Sequence, residues 1–232
     1  MIGNFRLTTS IDRSNDDVLR KLVEGELTHL EIPMGTTKIG AGIFNSWGNI
    51  KSVTIPEGVT TIGSGAFQNS SIEHIQFPNS LKTIGMSAFH TCKSLSTISL
   101  NEGLTTIHSY CFNGTGLTEV LLPSTLRTIG TNVFYGIPLK KVNIPKSATD
   151  ISTGFGGCTY LEEVTMENGF NCNKLDLSSS TLYSVETIVS WLEALADRTG
   201  QPTYTLIIGA DNLAKLTEEQ IAIATAKNWT LA

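Results

Sequence analysis

The feature that most constrains the fold of this chain is an internal repeat of 22 or 23 residues. Seven segments share the form L-x-x-[LIV]-x-[ILF]-P-x-x-[VL]-x-x-I-G-x-x-[small]-F. We number them repeats 1 to 7, and they start at Leu27, Ile50, Ile72, Leu95, Leu117, Leu139 and Leu161. A unit this short cannot bury its own apolar side, so neighbouring units must stack and share one core. The repeat therefore predicts an elongated stack of coils.

Each repeat opens with alternating apolar and polar residues, which predicts a half-buried strand starting at the first Leu or Ile. A proline follows in five of the seven repeats and ends the strand, because proline donates no ladder hydrogen bond. Repeat 4 has Asn101 at this position. The predicted inward pairs are Leu30/Ile32, Val53/Ile55, Ile75/Phe77, Ile98/Leu100, Val120/Leu122, Val142/Ile144 and Val164/Met166.

Two more apolar columns follow the strand. The first contains Ile39, Ile62, Ile84, Ile107, Ile129 and Ile151, and glycine comes next in four repeats, as Gly40, Gly63, Gly85 and Gly130. Glycine there predicts either a positive φ or a close approach to the next coil. The second column contains Phe44, Phe67, Phe89, Phe112, Phe134 and Phe155. We expect these rings to stack from coil to coil.

The cysteines fit the repeat better than they fit a metal site. Cys111 directly precedes a column phenylalanine, and Cys92 and Cys158 each come three residues after one, so we expect all three to be interior thiols. Cys172 lies outside the pattern and is not placed by it. The sequence contains no CxxC pair, which argues against a zinc ribbon.

The pattern I-P-x-x-[VL]-x-x-I-G-x-x-A-F-x-x-C resembles the BspA-like leucine-rich repeats of bacterial surface proteins. It is clearest in residues 59–67 and 81–92, and it extends over roughly residues 27–167. The departures are Asn101 for Pro, His108 and Ser152 for Gly, and one residue fewer before Phe155. The resemblance implies an α/β solenoid with a right-handed coil, a strand-lined face and capped ends. It also implies a protein-binding or adhesion scaffold, either extracellular or on the cell surface.

The two ends of the chain differ from the repeats. Residues 14–17, Ser-Asn-Asp-Asp, precede apolar residues at helical spacing and predict an N-terminal helical cap within residues 1–26. Repeats occupy residues 27–174. Residues 175–232 are expected to form strand, helix, strand, helix, strand, at Leu175–Leu177, Val185 to about Asp197, Tyr204–Ile208, Thr217 to about Lys227, and Trp229–Leu231. These elements either continue the same sheet as two longer repeats or form a separate βαβ domain.

Composition and motifs exclude several functions. A net charge of -5 provides no basic stripe for nucleic acid. No apolar run is long enough for a membrane span, and residues 1–17 lack the apolar region of a signal peptide. The sequence has no GxSxG, HExxH, P-loop or GxGxxG motif. His29 and His74 share an outward column but lie about 10 Å apart, too far to hold one metal ion. We therefore expect no catalysis, cofactor or metal.

The outward strand residues form the candidate binding surface, since stacked repeats use such faces for extended contacts. The predicted partner-binding residues are Gln76, Thr97, Ser99, Glu119, Leu121, Lys141 and Asn143. The alternative is a solvated face without a partner, because Trp, Tyr and Arg anchors are missing from it. Two functions remain: an adhesion or protein-recognition scaffold, or a structural part of a phage tail or other surface assembly. The second stays open because Leu206–Ala232 resembles segments of BspA-like proteins from gut bacteria and their phages.

Overall fold

The computed structural model describes residues 28–151 and 153–232. The predicted N-terminal cap in residues 1–26 lies outside these ranges. The described chain forms stacked repeats joined by parallel strands, with three helices near its C-terminal end.

The outward-facing strands form two separate parallel sheets. The first contains β1 (His29–Glu31), β3 (Ser52–Thr54) and β5 (His74–Gln76), and the second contains β8 (Glu119–Leu121), β10 (Lys141–Ile144) and β11 (Glu163–Met166). Paired residues are 22 or 23 positions apart, as in His29 with Ser52 and Lys141 with Glu163. We call the surface made by the outward residues of these strands and of residues 97–99 the strand face.

The strands begin two residues later than the alternation predicted. The first residue of repeats 2 to 7, for example Ile50 or Leu117, is buried. At this point the chain is still turning around the core, and regular pairing starts only beyond the turn, at Ser52 and Glu119.

Another parallel sheet, which we call the second sheet, runs without a break through repeats 1 to 5. It consists of the two-residue strands β2 (Lys38–Ile39), β4 (Thr61–Ile62), β6 (Thr83–Ile84), β7 (Thr106–Ile107) and β9 (Thr128–Ile129). The sequence predicted the buried isoleucine of each strand but not the strand itself, because two residues are too few for a recognisable alternation.

Stacked phenylalanine rings fill the core between the two sides, as predicted. The six rings of the column are buried, and their neighbouring centroids are 5.2 to 5.8 Å apart with interplanar angles of 7° to 17°. The stack includes Phe155, so the shortened spacing before this residue does not interrupt it.

The glycine column is explained by close approach between coils. A Cβ on Gly63, Gly85 or Gly130 would lie 2.7, 2.6 or 2.4 Å from a main-chain nitrogen of the preceding repeat. None of the three has a positive φ. Of the two reasons that the sequence offered, only the steric one applies to these residues.

All four cysteines are buried free thiols. The Sγ atoms of Cys92 and Cys158 donate to the carbonyl oxygens of Phe67 and Phe134, at 3.0 and 3.1 Å. Cys172, which the repeat pattern did not place, donates to the carbonyl oxygen of Lys174 at 3.1 Å. Burial raises the pKa of each thiol. Cys92, Cys158 and Cys172 therefore act as interior hydrogen-bond donors, and burial disfavours the nucleophilic thiolate form in all four cysteines.

The C-terminal region has the predicted alternation of strands and helices. Its strands are β12 (Lys174–Asp176), β13 (Tyr204–Ile207) and β14 (Trp229–Leu231), and its helices are α1 (Val185–Ala194), α2 (Ala210–Leu213) and α3 (Glu218–Ala226). Helix α1 ends three residues before the predicted Asp197, because Leu195 pairs with Phe170. The capping box at Thr217 is confirmed. The four-residue helix α2 was not predicted.

The sheet of the strand face does not continue into this region, contrary to one of the two expectations. Among the described strands, β12, β13 and β14 pair only with one another, so β11 is the last strand of its sheet. Helix α1 packs against β11, and Trp191 Nε1 donates to the carbonyl oxygen of Val164 at 2.7 Å. One apolar core nevertheless extends from Leu30 to Trp229. The division at residues 26 and 174 stays a prediction.

Candidate functional site

The strand face brings the predicted partner-binding residues onto one surface. Six of the seven are exposed: Gln76, Thr97, Ser99, Glu119, Leu121 and Lys141. They come from repeats 3 to 6. Leu121 is the apolar member of the set, and 63 % of it is exposed.

The seventh residue, Asn143, is half-buried and bonded to the main chain. Its Oδ1 accepts from the Leu122 amide at 2.6 Å, and its Nδ2 donates to the Leu122 carbonyl at 2.9 Å. The side chain thus bonds to both main-chain polar groups of Leu122, the residue that follows β8, and links β10 to the preceding repeat. Asn143 therefore connects adjacent repeats, and these two hydrogen bonds fix the orientation of its amide group.

Histidine and hydroxyl side chains form the N-terminal end of the strand face. His29 Nδ1 lies 2.7 Å from Ser52 Oγ, and its Nε2 lies 3.2 Å from Thr54 Oγ1. Both hydrogen bonds run between adjacent repeats. They fix the imidazole flat along the face, as a polar surface group.

Alternating charges form the C-terminal end of the face. Lys141 Nζ lies 3.2 Å from Glu163 Oε2. This hydrogen bond, the charge of Glu163 and the charge of Glu119 together raise the pKa of Lys141. The lysine is therefore held as a cation between two carboxylates, and its closer partner is Glu163.

Between these two ends the face is interrupted at repeat 4. In other repeats, two successive amides at the strand start donate to one carbonyl of the preceding repeat, as Lys140 and Lys141 do to Thr118 at 2.8 and 3.3 Å. Within residues 96–119, all of which are described, neither Ser96 and Thr97 nor Thr118 and Glu119 make the equivalent bonds. Repeat 4 retains one isolated bridge, from Gln76 to Ser99.

Asn101 accounts for the interruption. In the place of the usual proline, its amide side chain turns inward, and Nδ2 donates to the carbonyls of Asn79 and Leu81 at 3.1 and 3.0 Å. Ile98 and Leu100, predicted to be buried, are only partly buried and pack at the margin of the core. The pair faces the core as predicted but is less buried than its counterparts in most other repeats, because its segment keeps only the isolated bridge to Gln76.

Two grooves flank the loosened segment on the strand face. One, with a volume of about 450 Å³, extends across repeats 1 to 4 and includes His29 and Gln76. The other, about 470 Å³, lies between repeats 4 and 5, and we call it the repeat-4 cleft. Its lining residues are Thr97, Ile98, Ser99, Leu100, Glu102, Glu119, Leu121, Leu122 and Pro123. Both grooves share Thr97, Ile98 and Ser99.

Sequence reasoning missed part of this cleft. Glu102 was not a candidate, because it follows the strand and belongs to the turn. Ile98 and Leu100 were assigned to the core. The available signal was the substitution of Asn101 for proline, which the repeat pattern marks as a departure.

Within residues 28–151 and 153–232, no group of three or more His, Cys, Asp and Glu side chains is arranged to hold a metal ion. Over the same ranges, every helix is too short or too polar to cross a bilayer.

Stacked parallel strands, a phenylalanine ladder and an exposed polar strand face define a leucine-rich-repeat protein. The family profile described as the BspA type leucine rich repeat region matches in six copies, over residues 23–137 and 95–188. The chain therefore belongs to the BspA-type leucine-rich-repeat family. A search of curated proteins by sequence finds no match.

Solved structures of bacterial leucine-rich-repeat proteins resemble this chain. The T. pallidum leucine rich repeat protein TpLRR is 20% identical, with a TM-score of 0.61 over 90% of this chain and 86% of that one. A leucine rich cell surface protein from Faecalibacterium prausnitzii is 19% identical, with a TM-score of 0.42 over 92% and 84%. A leucine-rich repeat protein from Eubacterium ventriosum is 29% identical, with a TM-score of 0.40 over 61% and 32%. The T. pallidum similarity supports the fold.

Proposed function

We propose that this protein is a non-enzymatic protein-recognition scaffold whose strand face, in repeats 3 to 6, binds a protein partner. The observation that carries the proposal is the position of the two grooves, which both lie on the strand face and meet at Thr97 and Ser99. Membership of the BspA-type family supports protein interaction as the general role.

The chemistry of the face favours a protein over a small molecule. Leu121 is an exposed aliphatic side chain with charged Glu119 and Lys141 beside it on neighbouring positions. An apolar contact with a polar surround is the usual composition of a protein interface. Because the residues on either side of repeat 4 belong to parallel sheets, most of the surface is held in place before binding, which reduces the entropy lost on association.

The ionisable groups support a role without catalysis. Glu119, Lys141 and Glu163 lie on an open surface, whereas catalytic acids and bases usually converge in an enclosed site that shifts their pKa values. Among the described carboxylates with a lowered pKa, Glu57 and Asp197 owe the shift mainly to main-chain hydrogen bonds. Those of Glu57 come from the turn of the next repeat, at Asn79 and Ser80, and that of Asp197 comes from Thr199 in its own turn. These bonds stabilise the turns.

The same proposal includes the finer features that the family resemblance implies. We place the protein at the bacterial surface or outside the cell, with a right-handed coil of 22- to 23-residue repeats. Residues 1–26 and 175–232 would cover the two ends of the stack. The packing of α1 on β11 supports this arrangement at the C-terminal end.

Affinity capture from bacterial surface and host matrix extracts tests the proposal. The immobilised wild-type protein is compared with a triple variant of exposed face residues, Gln76→Lys, Ser99→Lys and Leu121→Lys. A second triple variant, Ser64→Lys, Met86→Lys and Thr131→Lys, adds the same charge at exposed turn positions off the strand face. We expect the wild type and the turn variant to capture the same partner. The face variant should be folded but should not capture this partner. Equal retention by both variants would refute a binding site on this face.

A further inference from the structure

Part of the lining of the repeat-4 cleft is apolar. Ile98 and Leu100, which the interruption leaves only partly buried, line it together with Leu122 and Pro123. Leu121 projects from the adjacent strand. A volume of about 470 Å³ falls within the range of ligand-binding pockets. The cleft can therefore accept an aliphatic side chain.

One wall of the cleft is an open strand edge. In a parallel pair, alternate residues of a strand bond to one neighbour and the remaining residues bond to the other. The bonds from Lys140 and Lys141 to Thr118 place the Thr118 carbonyl on the β10 side of β8. Alternation then directs the main-chain groups of Glu119 and Leu121 toward repeat 4, where they have no main-chain partner among the described residues. An extended peptide can supply these missing hydrogen bonds.

The charge on the cleft is negative. Glu102 and Glu119 line it, and no lining residue is a lysine or arginine. The nearest cation on the adjacent strand, Lys141, is paired with Glu163. A Lys or Arg side chain of a partner complements this pair of carboxylates.

We propose that the repeat-4 cleft binds an extended peptide segment of the partner protein, in which an aliphatic side chain stands next to a Lys or Arg. The peptide main chain pairs with Glu119 and Leu121, the aliphatic side chain packs on Ile98 and Leu100, and the cation contacts Glu102 and Glu119. This inference rests on the proposed function, since it specifies the partner of the same face.

Repeat 4 differs from the flanking repeats at two positions after the strand, and these differences point to a variant that closes the cleft. In repeats 3, 5 and 6 the strand is followed by Pro-x-Ser/Thr. The hydroxyls of Ser80, Thr125 and Ser147 donate to the carbonyls of Val59, Leu104 and Leu126, at 2.8, 2.8 and 2.6 Å.

Repeat 4 has Asn101 and Gly103 at these two positions, so the Leu81 carbonyl accepts from Asn101 instead. The buried Oδ1 of Asn101 has no hydrogen-bond partner among the described residues. The double substitution Asn101→Pro and Gly103→Ser gives repeat 4 the residue types of these repeats. A Cβ on Gly103 would lie 2.7 Å from the Asn79 carbonyl oxygen, so the turn at residues 101–103 must shift as the segment closes. We expect it to let residues 96–99 pair with β8 and to slow amide exchange at Glu119 at least tenfold, because this amide then donates to Ser96.

The test uses a fluorescein-labelled heptapeptide of alternating lysine and valine, and fluorescence anisotropy measures its binding to the full chain. A second peptide carries an N-methyl group on each valine, which removes these amide donors and keeps the charge. We expect wild type to bind the first peptide at least tenfold more tightly than the second. Equal affinities would overturn the proposal, because they would show that charge alone determines binding.

Two protein variants locate the bound peptide. Glu102→Gln with Glu119→Gln should weaken binding at least tenfold. The matched pair Glu31→Gln with Glu57→Gln changes one strand carboxylate and one turn carboxylate outside the cleft. This control pair should leave the affinity for the peptide unchanged. The variant with Asn101→Pro and Gly103→Ser should also bind the peptide at least tenfold more weakly than the wild type. Undiminished binding in a variant whose Glu119 amide is protected would overturn the proposal. If that variant does not fold, the two carboxylate variants and the comparison with the N-methylated peptide still test the proposal.

The outcomes separate this inference from the proposed function. If the alternating peptide does not bind but the captured partner is still lost by the triple face variant, the peptide inference fails and the proposed function holds. If the triple face variant keeps every partner, the proposed function fails, whatever the peptide does.

Discussion

Single residues hold adjacent repeats together by donating to main-chain carbonyls. Cys158 is an example, since its thiol is buried and donates to Phe134 of the preceding repeat. Burial raises the pKa of this thiol from an ordinary value of 9.0 to about 12. The thiol is therefore neutral in the folded protein at a pH where it ionises in the unfolded chain.

This shift predicts a loss of stability at alkaline pH. A group whose folded pKa is raised contributes its full stabilisation below the unfolded pKa, and the contribution is lost as the pH rises from about 9 to about 12. Cys158→Ser keeps a donor but does not ionise in this range, so its stability should fall less steeply. Urea unfolding of both proteins at pH 8 and pH 10.5 measures the difference. Parallel losses in the two proteins would show that Cys158 is not responsible.

Asn143 and Gln76 form a matched pair of face residues with different roles. Asn143→Ala removes two hydrogen bonds to Leu122 and should destabilise the fold by about 1–2 kcal/mol. Gln76→Ala changes an exposed side chain and should stay within about 0.5 kcal/mol. Chemical denaturation of the two variants tests this assignment. A large loss in Gln76→Ala together with none in Asn143→Ala would reverse it.

At the scale of elements, the spacing between coils depends on glycine at the second sheet. A Cβ on Gly85 would lie 2.6 Å from the Ser64 nitrogen and 2.7 Å from the Gly63 carbonyl carbon, and main-chain atoms cannot move aside as a flexible side chain does. We expect Gly85→Ala to cost about 1–3 kcal/mol through overpacking.

The control for this prediction is Gly48→Ala. Gly48 is exposed, has nothing within 4 Å of an added Cβ and does not require a positive φ. Its substitution should stay within about 0.5 kcal/mol in the same denaturation experiment. Similar effects at both positions would contradict close coil packing as the reason for the glycine column.

The sequence predicted the structure well wherever the same residue type occupies the same position in successive repeats. The isoleucine and phenylalanine columns are such cases, because each side chain packs on its counterpart one repeat away. The interruption at repeat 4 was beyond this reasoning. It depends on the hydrogen bond from the Asn101 side chain to the Leu81 carbonyl, which neither pattern nor propensity reveals. The two-residue strands of the second sheet and helix α2 were too short to leave a periodic signal.

At the scale of the whole molecule, helix α1 of the C-terminal region lies against β11 of the last repeat. Ile188, Trp191 and Leu192 of α1 are buried, and α1 packs on β11. Deleting residues 178–232 removes this cover and exposes both the apolar core and the edge of β11, which favours intermolecular pairing. We expect the truncated chain to aggregate, as measured by size-exclusion chromatography with light scattering. A soluble monomer would indicate that residues 178–232 form a separate domain.

The central claim is that recognition takes place on the strand face beside repeat 4, and site-specific photo-crosslinking tests it most directly. Benzoylphenylalanine is placed at Thr97, which both grooves share, or at Met86, an exposed residue on the turn after β6. Each protein is irradiated in the same surface extract, and the crosslinked partners are compared. We predict one discrete partner trapped from Thr97 and absent from Met86. Trapping from Met86 alone, or equally from both positions, would contradict the account.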